Sequence, residues 1–206
     1  MAMNYGIIHS MVVLIGEVTS SLQRIEDSYE LSFIGIVEPA SILKENGIPF
    51  KVITKLSRDG QGEMQRELLI ENSLSEDCYL LSSPLLSSLM VDYDMRLKGT
   101  APSAIEKEEL LSLLRQLEAD CVILSESIMS VEPAASEITR AIMDLEKRPK
   151  VVVYSNPLWP HVEQLETLKC ALDSLAAATE VYTMSQSVLI DNLIMIERSH
   201  LLDVIR

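Results

Sequence analysis

The most informative absence in this sequence is glycine in the part of the chain that follows Gly99, where none occurs. Enzymes that transfer phosphate commonly hold it with the backbone N–H groups of glycine-rich loops and helix N-termini. The sequence also lacks a G-x-x-x-x-G-K-[ST] motif, which argues against a Walker-type nucleotide site. Residues 100–206 therefore provide no glycine-rich phosphate cradle of the usual kind.

Basic residues and long apolar runs are scarce as well. The chain has 17 Lys and Arg against 31 Asp and Glu, a formal net charge of −14, and nucleic-acid surfaces need clustered positive charge. No apolar run approaches the length of about 18 residues that indicates a membrane-spanning helix. Residues 1–16 contain no Lys or Arg ahead of a short apolar run, which argues against a secretory signal. We expect no nucleic-acid partner and no membrane association.

Cysteine and histidine are few, and their spacing fits no metal or redox motif. Cys78, Cys121 and Cys170 are odd in number and far apart, so they form none of the close pairs that such motifs require. The three histidines are also scattered, and no G-x-S-x-G nucleophile elbow is present. We predict three unpaired thiols in a reducing cytoplasm, no metal site and no catalytic residue.

What the sequence does contain is a regular alternation of short apolar runs and helical patterns. Residues 12–15, 52–54, 122–124 and 151–153 are predicted to be central parallel strands, the first of them within an apolar stretch from 10 to 18. The segments between later strands carry apolar residues at helical spacing. Strands joined by helices favour an α/β fold, a three-layer αβα doubly wound, mostly parallel sheet. We interpret residues 1–206 as a single domain.

One unit of this pattern is punctuated by proline and glycine. Pro39 fits the first turn of a helix, and Gly47 fits the left-handed residue after its end. A strand is predicted at 50–56. A turn at 57–62, whose two glycines allow close approach of another group, then leads into a helix at 63–72.

This order resembles the amino-terminal signature of the ribokinase-like (PfkB) carbohydrate kinases. That family has a Gly-Gly pair before the helix and a G-x-D-x-x-G turn after the next strand; Gly35 matches one glycine of the pair, and Asp59 and Gly62 match the turn. Gly16 matches the glycine that ends the family's first strand. The sugar-binding Asp of the family falls on Ser21, which has a hydroxyl but no carboxylate to grip two hydroxyls at once. The resemblance implies a ligand-binding role for Ser21, Gly35, Asp59 and Gly62.

Two further ligand-binding candidates follow strands of the predicted sheet. The stretch VVVYSNPLW at 151–159 resembles the family's strand that ends in Asn beside the substrate, and Asn156 matches that Asn. Ligands of open α/β sheets bind at such strand ends, although Asn-Pro after a strand is also ordinary turn chemistry. Glu17, just after the first strand, is either a ligand contact or a solvated carboxylate.

Residues 77–102 and 187–205 depart from the alternating pattern. The first segment is predicted to form two short strands, a lid or rim insertion whose counterpart in the family covers the sugar. The second is predicted to be a closing helix with apolar residues on more than one face. Because exposed apolar patches and unpaired edges favour association, we expect a homodimer through one of these surfaces.

Two functions remain open at this point. The family's catalytic signature, close to D-T-x-G-A-G-D, is absent, which favours a truncated, noncatalytic relative that binds a small hydroxylated, sugar-like ligand or a protein partner and requires no cofactor. The alternative is an active sugar or nucleoside kinase, completed by a partner chain, that uses ATP and magnesium. The sequence identifies neither the sugar nor the partner.

Overall fold

The computed structural model of the chain describes the backbone of residues 11–25, 28–82, 88–91, 97–100, 105–155 and 165–195. Side chains are described for 11–18, 35–60, 62–80, 105–155 and 165–194. The strands are β1 Val12–Ile15, β2 Val18–Ile25, β3 Ser28–Gly35, β4 Phe50–Leu56, β5 Cys78–Ser82, β6 Ser88–Val91, β7 Leu97–Thr100, β8 Cys121–Ser125, β9 Lys150–Ser155 and β10 Val181–Ser185. The helices are α1 Val37–Glu45, α2 Gly60–Glu71, α3 Lys107–Leu117, α4 Glu126–Met129, α5 Ala134–Met143, α6 Leu165–Ala176 and α7 Gln186–Met195.

Six strands form a parallel sheet in the order β10-β9-β8-β1-β4-β5. The four strands predicted to be central, β1, β4, β8 and β9, occupy its four inner positions, which confirms that prediction. Within them nearly every residue is buried, because helices cover both faces and leave no strand face to water.

Successive residues of β1 show how the three layers are built. Val12 and Leu14 pack on one face with residues of α1, α2 and α7. Val13 and Ile15 pack on the other face with residues of α3, α4, α5 and α6. This alternation follows from the two-residue period of a strand, and the predicted three-layer α/β architecture is confirmed.

The second sheet is antiparallel and has the order β3-β2-β7-β6. It corresponds to the predicted lid, but its membership differs from the prediction. Residues 78–82 form β5, the edge strand of the parallel sheet beside β4, and so they do not belong to the lid. Two of the lid strands instead come from 18–35, which the sequence interpretation did not assign to this sheet.

The first apolar stretch is also divided differently from the prediction of one strand over 10–18. β1 ends at Ile15, and β2 begins at Val18 in the other sheet. The change of sheet occurs next to Gly16, where a Cβ would lie 2.5 Å from Cγ2 of Ile36 and 3.1 Å from Oγ of Ser125. The chain therefore leaves the parallel sheet where its packing admits no side chain.

Helix α3 begins at Lys107 with Glu106 as its N-cap, and the N–H of Lys107 donates to Oε2 of Glu137, at 3.1 Å. Helix α2 begins at Gly60, three residues before the predicted start, so both glycines of the predicted turn lie in its first turn.

The predicted end of α1 is confirmed at Gly47, whose φ of +66° lies in the left-handed region. Its N–H donates to the carbonyl of Lys44 at 3.0 Å, and that of Ile48 donates to Leu43 at 3.0 Å. These two bonds close the helix and direct the chain into β4.

The predicted closing helix is observed as α7, and the rest of the predicted range lies beyond the described residues. Leu189 and Leu193 are fully buried against the sheet, whereas the side chains of Val188 and Ile194 are 47% and 54% exposed. The predicted spread of apolar residues over more than one face is therefore present in α7. None of the helices in the described ranges is long and apolar enough to cross a membrane.

Candidate ligand site at the carboxyl edge of the parallel sheet

The strand order of the large sheet has a switch point between β1 and β8. From β1 the chain builds the sheet toward one edge through β4 and β5, and then toward the other edge through β8, β9 and β10. The order reverses between β1 and β8. Ligands of open α/β sheets bind outside the carboxyl ends of strands at such a switch point, so the residues that follow these two strands are the first candidates.

Glu17 follows β1, and its half-buried carboxylate joins the two strands. Its Oε2 accepts a hydrogen bond from Oγ of Ser125 at 2.7 Å, and its Oε1 accepts one from Oγ of Ser127. Ser125 ends β8 and is 2% exposed. Glu17 was predicted as a ligand contact or a solvated carboxylate, and the structure places it at the switch point with a hydroxyl partner on each oxygen.

The Glu17 carboxylate is desolvated, and the described residues place no opposite charge beside it. Burial raises its pKa from the usual 4.5, although the hydrogen bond from Ser125 and a backbone hydrogen bond act in the opposite direction. In the described part of the chain Glu17 forms no ion pair. A buried carboxylate with neutral partners is energetically unfavourable in its charged form.

A row of residues on the α1/α7 face of the sheet continues from this carboxylate. Ile15 pairs with Ile53 and with Leu124, so the next residue, Gly16, lies between Thr54 and Ser125. Ser125 pairs with Tyr154 of β9. The row therefore reads Thr54, Gly16, Ser125, Tyr154 across four strands at one level, near the carboxyl edge.

Two hydroxyls of this row are buried and have no hydrogen-bond partner within the described structure, those of Thr54 and Tyr154. Tyr154 is 1% exposed. Burial raises the pKa of its hydroxyl well above 10, and the negative charges of Glu17 and Glu38 raise it further. Buried polar groups are rarely left unsatisfied in native proteins, so these two hydroxyls mark a place where a hydrogen-bonding partner belongs.

The first residues of α1 and α7 meet above this row. Nε2 of Gln186, the first residue of α7, donates to Oε2 of Glu38 at 2.9 Å. Gln186 is 8% exposed, and its Oε1 has no hydrogen-bond partner among the described groups. Glu38 itself is exposed. We call Glu17, Glu38, Tyr154 and Gln186 the acidic cluster.

Gly35 is brought next to Glu17 by the second sheet. It ends β3 opposite Val18, and the N–H of the following residue, Ile36, donates to the carbonyl of Glu17 at 3.2 Å. Gly35 has a φ of +100°, which side chains rarely adopt, so this position favours glycine on conformational grounds alone. Its ligand-binding role stays a prediction.

Asp59 and Gly62 lie at the carboxyl end of the neighbouring strand β4, where they shape the start of α2. Oδ1 of Asp59 accepts from Oγ of Ser57 at 2.6 Å and from the N–H of Gly62 at 3.0 Å. This is the geometry of an N-cap. A few residues along α2, Nε2 of Gln65 donates to the carbonyl of Val18 and so ties this helix to the start of β2. The observed contacts are structural, and ligand binding by Asp59 and Gly62 stays a prediction.

For the last two predicted ligand-binding residues, Ser21 and Asn156, the structure describes no side chain. Ser21 lies in β2, opposite Ser32 and Lys98 of the second sheet, and its side chain is not described. Asn156 directly follows Ser155, the last residue of β9, and lies outside the described residues. The structure therefore tests neither residue.

The residues that sequence reasoning missed are Ser125, Ser127, Tyr154, Glu38 and Gln186. A usable signal existed for the two serines, because a run of Ser-Glu-Ser directly follows the buried strand CVIL. For the other three, the contact depends on strand register and on the meeting of α1 with α7, which no local pattern encodes. The described residues contain no group of three or more His, Cys, Asp or Glu suited to a metal ion.

A concavity lies at the same edge, on the α6 face of the sheet. Its volume is about 220 Å³, and Glu126, Ser155 and Thr183 contribute polar groups to its lining. Burial raises the pKa of Glu126. The carboxyl edge thus carries carboxylates on both faces, a poor environment for a triphosphate.

The pKa of Glu17 leads to a prediction about stability. Because burial raises that pKa, the folded state binds a proton at Glu17 more strongly than the unfolded state does, and the contribution of Glu17 to stability falls as pH rises from 4.5 through the folded-state pKa. Glu17→Gln removes this dependence. Urea unfolding across about pH 4.5 to 8 is expected to show the variant gaining free energy of unfolding relative to the parent as pH rises.

The matched control is Glu45→Gln, the same change at an exposed position at the end of α1. Its difference from the parent is expected to stay nearly constant across this pH range. If the Glu17 variant behaves in the same way as the control, Glu17 is not buried as a charge.

Comparisons with known proteins bear on the fold. No protein-family model and no curated protein matches the chain. Solved structures do match. A proposed 2-keto-3-deoxygluconate kinase from Enterococcus faecalis matches with a TM-score of 0.61 and 13% identity, over 88% of this chain and 60% of that chain. A PfkB family carbohydrate kinase from Listeria grayi matches with a TM-score of 0.60 and 14% identity, over 95% of this chain and 68% of that chain, and a fructokinase with bound ATP from Xylella fastidiosa matches with a TM-score of 0.57 and 14% identity, over 96% of this chain and 64% of that chain.

The chain thus spans about three fifths to two thirds of the length of these kinases. At 13 to 14% identity the likeness establishes the fold and not the activity. It agrees with the six-stranded parallel sheet, the layers of helices on both faces and the second antiparallel sheet. The chain therefore has the ribokinase-like fold of the PfkB carbohydrate kinases.

Proposed function

We propose that this chain is a noncatalytic relative of the PfkB carbohydrate kinases that binds a small hydroxylated ligand at the carboxyl edge of its parallel sheet. The observation that carries the proposal is the position of the Glu17 carboxylate at the switch point between β1 and β8, with Ser125 and Ser127 on its two oxygens. A carboxylate can accept about four hydrogen bonds in total. Ligand hydroxyls have acceptor positions to use there.

Three features support binding rather than phosphoryl transfer. Residues 100–206 contain no glycine and so offer no glycine-rich anion hole. Glu17, Glu38 and Glu126 at the carboxyl edge would repel a triphosphate. No metal-binding group of acidic residues is found in the described ranges. The described residues of this edge do not fit ATP with magnesium.

Thermal unfolding with a panel of monosaccharides and polyols tests this proposal. A ligand that binds only the folded state at 100 times its Kd adds about 2.7 kcal/mol of stability, which is about 5 to 10 °C in the Tm of a chain of this size. At least one hydroxylated compound is expected to raise the Tm, and Glu17→Ala is expected to weaken that binding at least tenfold. Glu45→Ala serves as the control of equal charge change.

The same thermal unfolding experiment with ATP and magnesium tests the alternative, that the chain is an active kinase. We expect no rise in Tm with ATP and magnesium, and no sugar-dependent release of ADP. If ADP release occurs above background and is lost in Asn156→Ala, the chain is an active kinase and the noncatalytic proposal is wrong. If no hydroxylated compound binds, the ligand proposal is wrong as well.

We also propose that the chain forms a homodimer. The exposed Val188 and Ile194 on α7 support this, because burying their apolar surface against a second subunit removes it from water and stabilises the dimer. Light scattering at micromolar concentration is expected to give about twice the mass of the 23.0 kDa chain. Ile194→Lys is expected to shift the mass toward the monomer if α7 carries the contact, and Met90→Lys if the second sheet does. A 23.0 kDa species for the parent protein contradicts the proposal.

A further inference from the structure

We propose that the ligand carries a cationic amine in addition to hydroxyls, and that this amine binds at the acidic cluster between Glu17 and Glu38, beside the hydroxyl of Tyr154. This inference rests on the proposed function, since it specifies the chemistry of the ligand at that same site. It goes beyond the family resemblance, which concerns sugar hydroxyls. Four observations support it.

The first observation is that neither Glu17 nor Glu38 forms an ion pair with a basic side chain among the described residues. Glu17 is bonded by two neutral hydroxyls, and Glu38 is bonded by the neutral amide of Gln186. Ser125, which bonds Glu17, pairs with Tyr154 in the sheet, and the charges of both Glu17 and Glu38 raise the pKa of the Tyr154 hydroxyl. A neutral sugar would leave both charges unbalanced, whereas an ammonium group would balance them in a partly desolvated setting where charge pairing is strong.

The second observation is the number of acceptors left without a donor. Oε1 of Gln186 and the hydroxyl of Tyr154 are buried and have no partner in the described structure. Each carboxylate oxygen of Glu17 can also accept a further hydrogen bond in addition to the one from its serine partner. An ammonium group brings three donors and no acceptor. The cluster thus offers the hydrogen-bond acceptors that the three donors of an ammonium group require.

The third observation is the position of the described basic side chains. Lys55 follows Thr54 in β4, so strand alternation places it on the opposite face of the sheet from the row that contains Tyr154. Lys44 lies at the far end of α1 from Glu38, where it bonds the carbonyl of Ser73 and pairs with Asp77 at 3.6 Å. Arg58 is exposed in the turn after β4. On the face that carries the acidic cluster, the described elements place no basic side chain beside it.

The fourth observation is the exposure of the cluster. Glu38 is exposed and Glu17 is half-buried, whereas Tyr154 and Gln186 are buried. The carboxylate of Glu38 is therefore in contact with solvent, from which a small amine approaches.

Matched pairs of compounds that differ only in the amine test the inference. The pairs are glucose with glucosamine, galactose with galactosamine, mannose with mannosamine and sorbitol with glucamine, compared by thermal unfolding and calorimetry at about pH 6.5, where the amines are protonated. We expect the amine of at least one pair to bind tenfold or more tightly than its neutral partner. Glu38→Gln is expected to reduce this preference at least threefold, and Glu45→Gln on the same helix to leave it unchanged.

The outcomes separate this inference from the proposed function. If neutral sugars bind as tightly as their amines, the amine inference is overturned and the hydroxylated-ligand proposal stands. If amines are preferred but neither Glu38→Gln nor Glu17→Gln changes the preference, the assignment to the acidic cluster is overturned. If no compound of either type binds, both proposals are overturned.

Discussion

Replacing Gly62 by alanine is expected to destabilise the protein by about 3 kcal/mol, whereas the same replacement at Gly60, two residues earlier in the same helical turn, is expected to be neutral or slightly stabilising. A Cβ at Gly62 would lie 1.9 Å from the carbonyl oxygen and 2.7 Å from the carbonyl carbon of Ser57. Those atoms are backbone and cannot rotate away. The start of α2 would have to shift.

Gly60 is the matched control because nothing lies within 4 Å of its Cβ position. Alanine is a better helix former than glycine and restricts the unfolded chain, which favours a gain of up to about 1 kcal/mol. Urea unfolding of both variants measures the two effects. Equal stabilities of the two variants would contradict the close approach of α2 to Ser57.

The contacts of Gly62 also change the interpretation of the family motif at 57–62. The predicted turn at 57–62 attributed its two glycines to close approach by another group. The structure shows that the group near Gly62 is the chain's own carbonyl, and that Asp59 caps the helix which begins there. A motif that resembles a ligand-binding turn is therefore explained here, in its observed contacts, by the entry of the chain into α2.

The fold of the large sheet could be predicted from the sequence because its inner strands are buried on both faces. A continuous apolar run such as that of β8 or β9 is recognisable without knowledge of its neighbours. The same reasoning failed for β5. An edge strand such as CYLLS carries no local sign of which sheet it joins, and its partner β4 is identified only by the register of Val52 with Cys78.

The second sheet was predictable only in part, for a related physical reason. β2, with the sequence VTSSLQRI, has few apolar residues, and the partner β7 lies far along the chain. Local propensity is weak in such strands, and cross-strand pairing decides their structure. The sequence indicated extra strands near residue 90 but could not indicate that residues 18–35 complete their sheet.

The candidate site shows the same division between local and long-range information. Glu17 could be singled out because it follows a predicted strand. Its partner Ser125 is 108 residues away, and the contact exists because β1 and β8 are neighbours in the sheet. Tyr154 was harder still to predict, because its apolar ring continues the strand pattern. Only the structure shows that its hydroxyl has no hydrogen-bond partner among the described residues.

Replacing Tyr154 by phenylalanine is expected to stabilise the ligand-free protein by about 1 to 2 kcal/mol, because it removes a buried hydroxyl that has no hydrogen-bond partner in the described structure. The ring remains, so the packing of the α1/α7 face is kept. Tyr182→Phe is the control, since the hydroxyl of Tyr182 donates to Oε2 of Glu180 at 2.8 Å at an exposed site. Its loss is expected to lower stability by less than about 1 kcal/mol.

Both variants delete one phenolic oxygen from a strand residue, yet their changes in the free energy of unfolding are expected to have opposite signs. The comparison therefore isolates the effect of the hydrogen-bond partner. A ligand-binding role for the hydroxyl adds a second expectation: the variant that gains stability without ligand should bind an amine-bearing sugar several-fold more weakly than the parent. Such a gain in stability with a loss of binding is the pattern of a residue retained for function. If Tyr154→Phe instead destabilises the ligand-free protein, the hydroxyl is already hydrogen-bonded, and the acidic cluster is a satisfied part of the core.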